Sequence, residues 1–229
     1  PVEAVSVMGN ALGAGDLFMS ATIKHHCFQG QTLKESVANS LAIAAKILGR
    51  VDANIGRQRA LEENISDISR QAEKDKLTSL LNRNGLEKTI ENLVRKQKPF
   101  FFVLLDIDNF KSFNDTFGHD VGDKVLSKVG VALKDAIRTK DIVGRWGGEE
   151  FLSLVVTSSK ETALKVAERM RMAVESLYLE ETEQKITISA GVACLDGHQK
   201  WGTSLKKADG ALYEAKKQGR NQAVFENCG

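Results

Sequence analysis

The chain has 229 residues, 42% of them hydrophobic, with 32 Lys and Arg against 30 Asp and Glu for a formal net charge of +2. That balance excludes the strongly basic face of a polyanion binder and any acidic tail, so no nucleic-acid partner is expected. No apolar run approaches the ~20 residues of a membrane helix and no signal peptide is recognisable, which together point to a cytoplasmic protein with no membrane segment.

In chain order, residues 1–50 are rich in Ala and Gly and contain one predicted helix, "TLKESVANSLAIAAKILG". Its apolar Leu33, Val37, Leu41, Ala44 and Leu48 recur at helical spacing, and Gly49 stands where a C-cap belongs. Residues 51–75 form a polar linker in which Leu61, Ile65, Ile68 and Ala72 alternate by four, three and four. This is the seam of a short coiled coil or the apolar stripe of a single amphipathic helix.

Residues 76–229 read as a separate domain. A helix is predicted over 83–97, then a buried strand "FFFVLLDID", then a helix within "GHDVGDKVLSKVGVALKDAI". A strand pair follows around "GRWGGEEF", then a helix in "KETALKVAERMRMAVESL", a strand "KITISAGVAC" and a last helix "LKKADGALYEAKKQ". Strands separated by helices, with one tight hairpin, give an α/β or α+β fold with a covered sheet. Cys27, Cys194 and Cys228 lack metal-ligand spacing and cannot all pair, so reduced thiols are expected.

The chemistry gathers at the hairpin. Gly147 and Gly148 permit positive φ and a close backbone approach to a ligand. Glu149 and Glu150 repel each other unless a cation sits between them, and Mg²⁺ suits such oxygen donors. The strand "FFFVLLDID" ends in Asp106 and Asp108, which period two puts on one side of the sheet. Carboxylates from a strand end and a neighbouring hairpin can hold one or two metals for displacement at phosphorus.

From Asp75 to Asn221 the chain closely resembles the GGDEF family of diguanylate cyclases. The resemblance rests on "DKLTSLLNR", "LDIDNFKSFNDTFGHDVGDKVL", "RWGGEEF", "ISAGVA" and "YEAKKQGRN", in the family's order and spacing. It implies a palm-like domain with a central, mostly antiparallel sheet. It further implies condensation of two GTP into cyclic di-GMP with release of two pyrophosphates, by a homodimer. By matching position, Asp106, Glu149 and Glu150 with the Ile107 carbonyl would hold Mg²⁺, Mn²⁺ being the alternative, and Glu149 and Glu150 would be catalytic. Asn114 and Asp123 match the residues that read the guanine edge. Lys111, Lys216 and Arg220 match phosphate-binding cations, with Gly147 and Gly148 at the substrate, whereas Phe110, Phe113 and Phe117 read as packing residues.

Two further resemblances attach to short stretches. "RTKD", Arg138 to Asp141, occupies the place of the family's RxxD inhibitory site for cyclic di-GMP, with Arg169 near the position of a helper arginine. "NALGAGDLF" resembles the C-terminal part of ribokinase-type kinases, which would make Asp16 the counterpart of their catalytic base and put Gly13 and Gly15 in an anion hole. Most of a kinase is missing around it, so a remnant used for docking and the tail of a larger fused sensor both stay open. The start at Pro1 rather than Met fits a fragment of something longer. A binding protein that uses the same scaffold only to sense GTP or cyclic di-GMP is the competing reading, and the intact set of metal and base-reading residues favours the enzyme.

Overall fold

The computed structural model describes residues 32–180, 182, 184–195 and 200–226. The chain divides into two compact units, Pro1–Ser69 and Arg70–Gly229. Asp16, Gly13 and Gly15 of the kinase-like stretch lie outside the described residues.

Helix α1 (Leu33–Ala72) runs unbroken for 40 residues. A capping box starts it: Thr32 N–H and Oγ1–H both donate to Glu35 Oε2, at 3.0 and 2.7 Å. The predicted stop at Gly49 does not occur. One glycine costs a helix only about 1 kcal/mol, and the Leu, Ala, Lys and Arg around it favour continuation. Leu41, Leu48 and Leu61 along α1 are all exposed, and the side chains of Ile65 and Ile68 lie outside the described set.

The second unit is a five-stranded sheet in the order β2-β3-β1-β4-β5. Its elements are α2 (Arg83–Arg95), β1 (Phe101–Ile107), α3 (Phe110–Phe117), α4 (His119–Asp135), β2 (Ile142–Arg145), β3 (Glu150–Val155), α5 (Lys160–Glu175), β4 (Ile188–Cys194), α6 (Trp201–Lys217) and β5 (Ala223–Glu226). Central β1 pairs antiparallel with both β3 and β4, β2 pairs antiparallel with β3, and among the described strands only β5 is parallel to its neighbour. The mostly antiparallel, helix-covered sheet matches the expectation from sequence.

Every residue of β1 is buried, because helices cover both faces. Phe101, Val103, Leu105 and Ile107 pack in one core with Val129, Leu133, Val166 and Met170 from α4 and α5. The alternate residues Phe102 and Leu104 pack in a second core with Leu86 and Ile90 of α2 and Leu212 of α6. Each such side chain contributes roughly 1.5–3 kcal/mol by leaving water. Period two carries Asp106 onto the α2/α6 side with Phe102 and Leu104. Gly191 in β4 lets α6 lie close on that side, since a Cβ there would stand 2.0 Å from the Ala208 carbonyl oxygen.

Two short elements escaped the sequence reading. Helix α3 is a single amphipathic stretch whose Phe110 and Phe113 are buried, and Phe113 and Phe117 rings lie 4.8 Å apart. Strand β5 has four residues and follows the last helix after a short loop, residues 218–222. Cys194, which closes β4, is disulfide-bonded, its partner lying outside the described residues. This corrects the expectation of reduced thiols, since spacing along a chain does not say which cysteines meet in space.

Candidate active site

The hairpin and the end of β1 meet. Strand register sets Asp106 directly opposite Glu150 on one side and Ser189 on the other. Ile107 N–H donates to the Glu149 carbonyl at 3.3 Å, tying the strand end to the turn. Glu150 is therefore the first residue of β3 rather than part of the turn, and only Trp146 to Glu149 connect the strands.

The turn takes its shape from Arg145 rather than from unusual glycine angles. Neither Gly147 nor Gly148 uses the positive φ that glycine permits. The Arg145 guanidinium instead donates to the Gly147 carbonyl at 3.1 Å and to the Gly148 carbonyl at 2.7 Å. The same side chain reaches Asp75, 3.3 Å away at the start of the unit, with both partners largely buried.

Charge at this end is concentrated. Asp106 is nearly buried, and the Lys216 ammonium from α6 lies 2.9 Å from its Oδ1. Burial pushes the Asp106 carboxyl up, and Lys216 opposes it. Burial and then the Asp106 charge raise Glu149, the neighbouring Glu150 adding less. Burial, Asp106 and Asp209 raise Glu150, while Lys216 and Arg83 pull it down. The adjacent glutamates thus repel each other less than both feel the aspartate on the next strand. Arg220 also acts on Asp106, so both predicted C-terminal cations are brought to the carboxylates.

Asp108 plays a different part. It accepts from Thr187 Oγ1 and Ser189 Oγ at 2.7 Å each and from Asn221 N–H at 3.0 Å. Those donors make it a structural carboxylate rather than a second metal ligand on the same side as Asp106.

Both residues of the predicted base-reading pair lie at the α3–α4 corner. Asn114 lies against Gly122, where a Cβ would stand 1.9 Å from Asn114 Oδ1, and Asp123 follows as an exposed residue. Asn114 Oδ1 is buried without a hydrogen-bond partner. An unmet acceptor of this kind is costly and marks a place for a donor from outside. Lys111 is exposed in the first turn of α3.

The RTKD stretch folds on itself. Arg138 donates to Asp141 through Nε at 2.8 Å and Nη2 at 3.2 Å, and buried Asp141 also accepts from Val156 N–H at 3.0 Å. Arg169 Nε donates to the Ala136 carbonyl, which puts the predicted helper beside the same loop.

Several contributors were not anticipated: Asp209, Arg83, the Arg145–Asp75 clip, and a cluster of Arg171, Glu175 and Asn221. Asp209 stands seven residues before Lys216 on α6, a helical spacing legible in principle. Arg83, which stacks 4.6 Å over the Trp146 ring, is brought in only by tertiary packing.

Residues 72–222 match the family model described as "Diguanylate cyclase, GGDEF domain". The chain belongs to the GGDEF family. It is 37% identical over 170 residues to the diguanylate cyclase DosC of Escherichia coli K12, covering 71% of this chain and 37% of that protein. The response regulator PleD of Caulobacter vibrioides is 36% identical over 191 residues, covering 78% of this chain and 42% of PleD. The chain thus spans less than half of these relatives. Among solved structures, the coiled coil and GGDEF domain of DgcB from Caulobacter crescentus, in complex with c-di-GMP, has a TM-score of 0.70 at 26% identity, covering 79% of this chain and 99% of that one. The diguanylate cyclase SiaD of Pseudomonas aeruginosa, in complex with its activator SiaC, has a TM-score of 0.68 at 30% identity, covering 94% of this chain and 84% of SiaD. Among the described residues of this GGDEF chain, no helix is long and apolar enough to cross a membrane.

The donors fit a hard divalent cation in chemistry. Among the described residues no three carboxylate, imidazole or thiol groups are drawn together as a metal cluster. At Asp106 the positive charge comes from Lys216, whose side chain is one-third exposed. The carboxyls of Asp106, Glu149 and Glu150, each raised by burial and by a neighbouring carboxylate, are what a dication of this preference would neutralise.

Proposed function

We propose that this chain is a diguanylate cyclase that condenses two GTP into cyclic di-GMP with release of two pyrophosphates. The observation that carries the reading is Asp106 set opposite Glu150, with Glu149 and Lys216 at the same strand end. In each half-reaction the 3′-oxygen of one GTP bonds the α-phosphorus of the other, the bond to pyrophosphate breaks, and the hydroxyl proton leaves. Glu149 and Glu150 would be the catalytic carboxylates, Glu150 taking up the hydroxyl proton and releasing it to water. Mg²⁺, or Mn²⁺ in its place, would be held by Asp106, Glu149, Glu150 and the Ile107 carbonyl, and would supply charge neutralisation at the phosphate oxygens. Lys216 would then turn from Asp106 to the triphosphate, joining Arg220 and Lys111, with Gly147 and Gly148 lying along it.

Asn114 Oδ1, buried and unpartnered, would accept from a guanine N–H, and Asp123 would accept from the same edge. Product would bind Arg138 and Asp141 with help from Arg169 and restrain turnover. One such domain holds one GTP, so two copies must face each other, and two-fold symmetry accomplishes this.

Incubation of the purified chain with GTP and Mg²⁺, followed by nucleotide separation, tests the reading. Cyclic di-GMP and pyrophosphate are expected, at a rate per chain that rises with protein concentration. Glu149→Gln should abolish product while leaving the fold intact. GTP binding without turnover at any concentration would instead favour a nucleotide-sensing module.

A further inference from the structure

Three consecutive residues after α6, Gly219, Arg220 and Asn221, have φ of 117°, 66° and 48°. Two of them carry side chains, which disfavour this region, so the surroundings must hold the loop there. Asn221 is held through its backbone N–H and both ends of its side-chain amide. Its N–H donates to Asp108 Oδ2 at 3.0 Å, its Oδ1 accepts from Arg171 Nη1 at 2.7 Å, and its Nδ2 donates to Glu175 Oε1 at 2.8 Å.

Arg171 is the hub of this grip. It is only 12% exposed, and Nη1 also donates to Glu175 Oε2 at 2.7 Å. Nε and Nη2 both donate to Glu168 Oε1, at 2.9 and 2.7 Å, which fixes the plane of the guanidinium. A planar fork with donors on two edges holds Glu168, Glu175 and Asn221 from three separate nitrogens, a spread that an ammonium, with its donors on one atom, does not reproduce. The anchored loop carries Arg220, whose charge reaches Asp106, and it hangs from Asp108, two residues beyond that aspartate.

We infer that Arg171 is a positioning residue: from α5 it holds Asn221, and through it the basic loop, so that Arg220 meets the β- and γ-phosphates of bound nucleotide. This rests on the nucleotide site proposed above, but not on turnover. Without Arg171 the loop keeps its backbone bond to Asp108 but loses the bond to Asn221 Oδ1, and Glu175 loses the cation that orients it toward Asn221 Nδ2, so the loop relaxes out of its left-handed conformation.

The test compares binding of 3′-deoxy-GTP, which lacks the attacking hydroxyl and cannot condense, with binding of the corresponding monophosphate. Titration calorimetry in Mg²⁺ would be run on Arg171→Ala, Arg171→Lys and Asn221→Gly, with cyclase turnover recorded separately. Arg171→Ala should weaken the triphosphate about tenfold, the scale of a lost charge-assisted contact, and leave the monophosphate unchanged. Arg171→Lys should fall between. Asn221→Gly keeps the left-handed backbone but removes the link, so it should reproduce the loss, and the double variant should lose no more than either single one. A merely structural role would weaken both nucleotides together. If Arg171→Ala does not fold, Asn221→Gly decides alone. An unchanged ratio of triphosphate to monophosphate affinity overturns the inference, whether or not the unmutated chain proves to be a cyclase.

Discussion

Lys216 Nζ stands 2.9 Å from Asp106 Oδ1, so the most buried carboxylate of the site already has a cation at hand. Lys216→Ala leaves Asp106, Glu149 and Glu150 without their nearest positive charge. A fully buried pair broken on one side costs several kcal/mol, and with Lys216 one-third exposed about 1–2 kcal/mol is the expected scale. Without Mg²⁺ the melting temperature should drop by roughly 2–8 °C. Added Mg²⁺ should then raise Tm more in the variant than in the unmutated chain, because a ligand stabilises the state it binds. Equal insensitivity to Mg²⁺ in both proteins would sink the assignment of these carboxylates to metal.

Asp123→Ala separates base reading from phosphate binding. Its side chain is exposed, so stability should hardly change. GTP affinity should fall by ~1–3 kcal/mol, the cost of an unmet polar edge, while ATP affinity stays where it was. Equal losses for the two nucleotides would show that Asp123 does not touch the base.

Arg138→Ala should act on inhibition and on folding together. Product inhibition of turnover should weaken without slowing the first cycle, and the purified protein should carry less cyclic di-GMP. Asp141, buried beside Val156 N–H, would lose its bidentate partner, which lowers stability by about 1–3 kcal/mol. Inhibition curves that do not move would reduce RTKD to a structural corner.

Acid should expose the Arg145–Asp75 clip. Burial alone would raise the Asp75 carboxyl, but Thr78 N–H, Thr78 Oγ1–H and Arg145 together bring it below its ordinary value. The folded form thus holds its proton less tightly than the unfolded chain. Its contribution is complete above the ordinary carboxylate range, about pH 4, and is lost as pH falls through the lowered value. Asp75→Asn should melt earlier at neutral pH, by about 1–2 kcal/mol, and its Tm should fall less steeply below about pH 4. Parallel Tm–pH curves would show that Asp75 carries none of the acid sensitivity.

The longer elements were legible because they bury one face each. Leu86, Ile90 and Leu93 on α2, and Val166, Met170 and Val174 on α5, repeat at helical spacing and announce themselves in any window. Helix α3 was missed because eight residues hold too little of a period. Gly49 misled because a cap signal read locally ignores the helix-forming residues beyond it. Asp106, Glu149, Glu150 and Lys216 could be nominated from motif order, but the 2.9 Å pair between Lys216 and Asp106 needed the packing of α6 on β4. Asp108 shows the limit of such a pattern: period two gives a side, whereas Thr187, Ser189 and Asn221 decide its partners. Arg171 and Asn221, fifty residues apart, leave no mark on any local pattern.

Strand β1 is hydrogen-bonded along both edges and buried throughout, and it ends one residue after Asp106. Amides in such a strand exchange with solvent only when the whole unit opens. Asp106 is therefore mounted on a strand whose amides should be among the slowest of this unit to exchange, whereas Glu149 sits in a turn and Arg220 in a loop. Heating short of unfolding should loosen the turn and the loop first and leave Asp106 as the fixed point around which they reassemble.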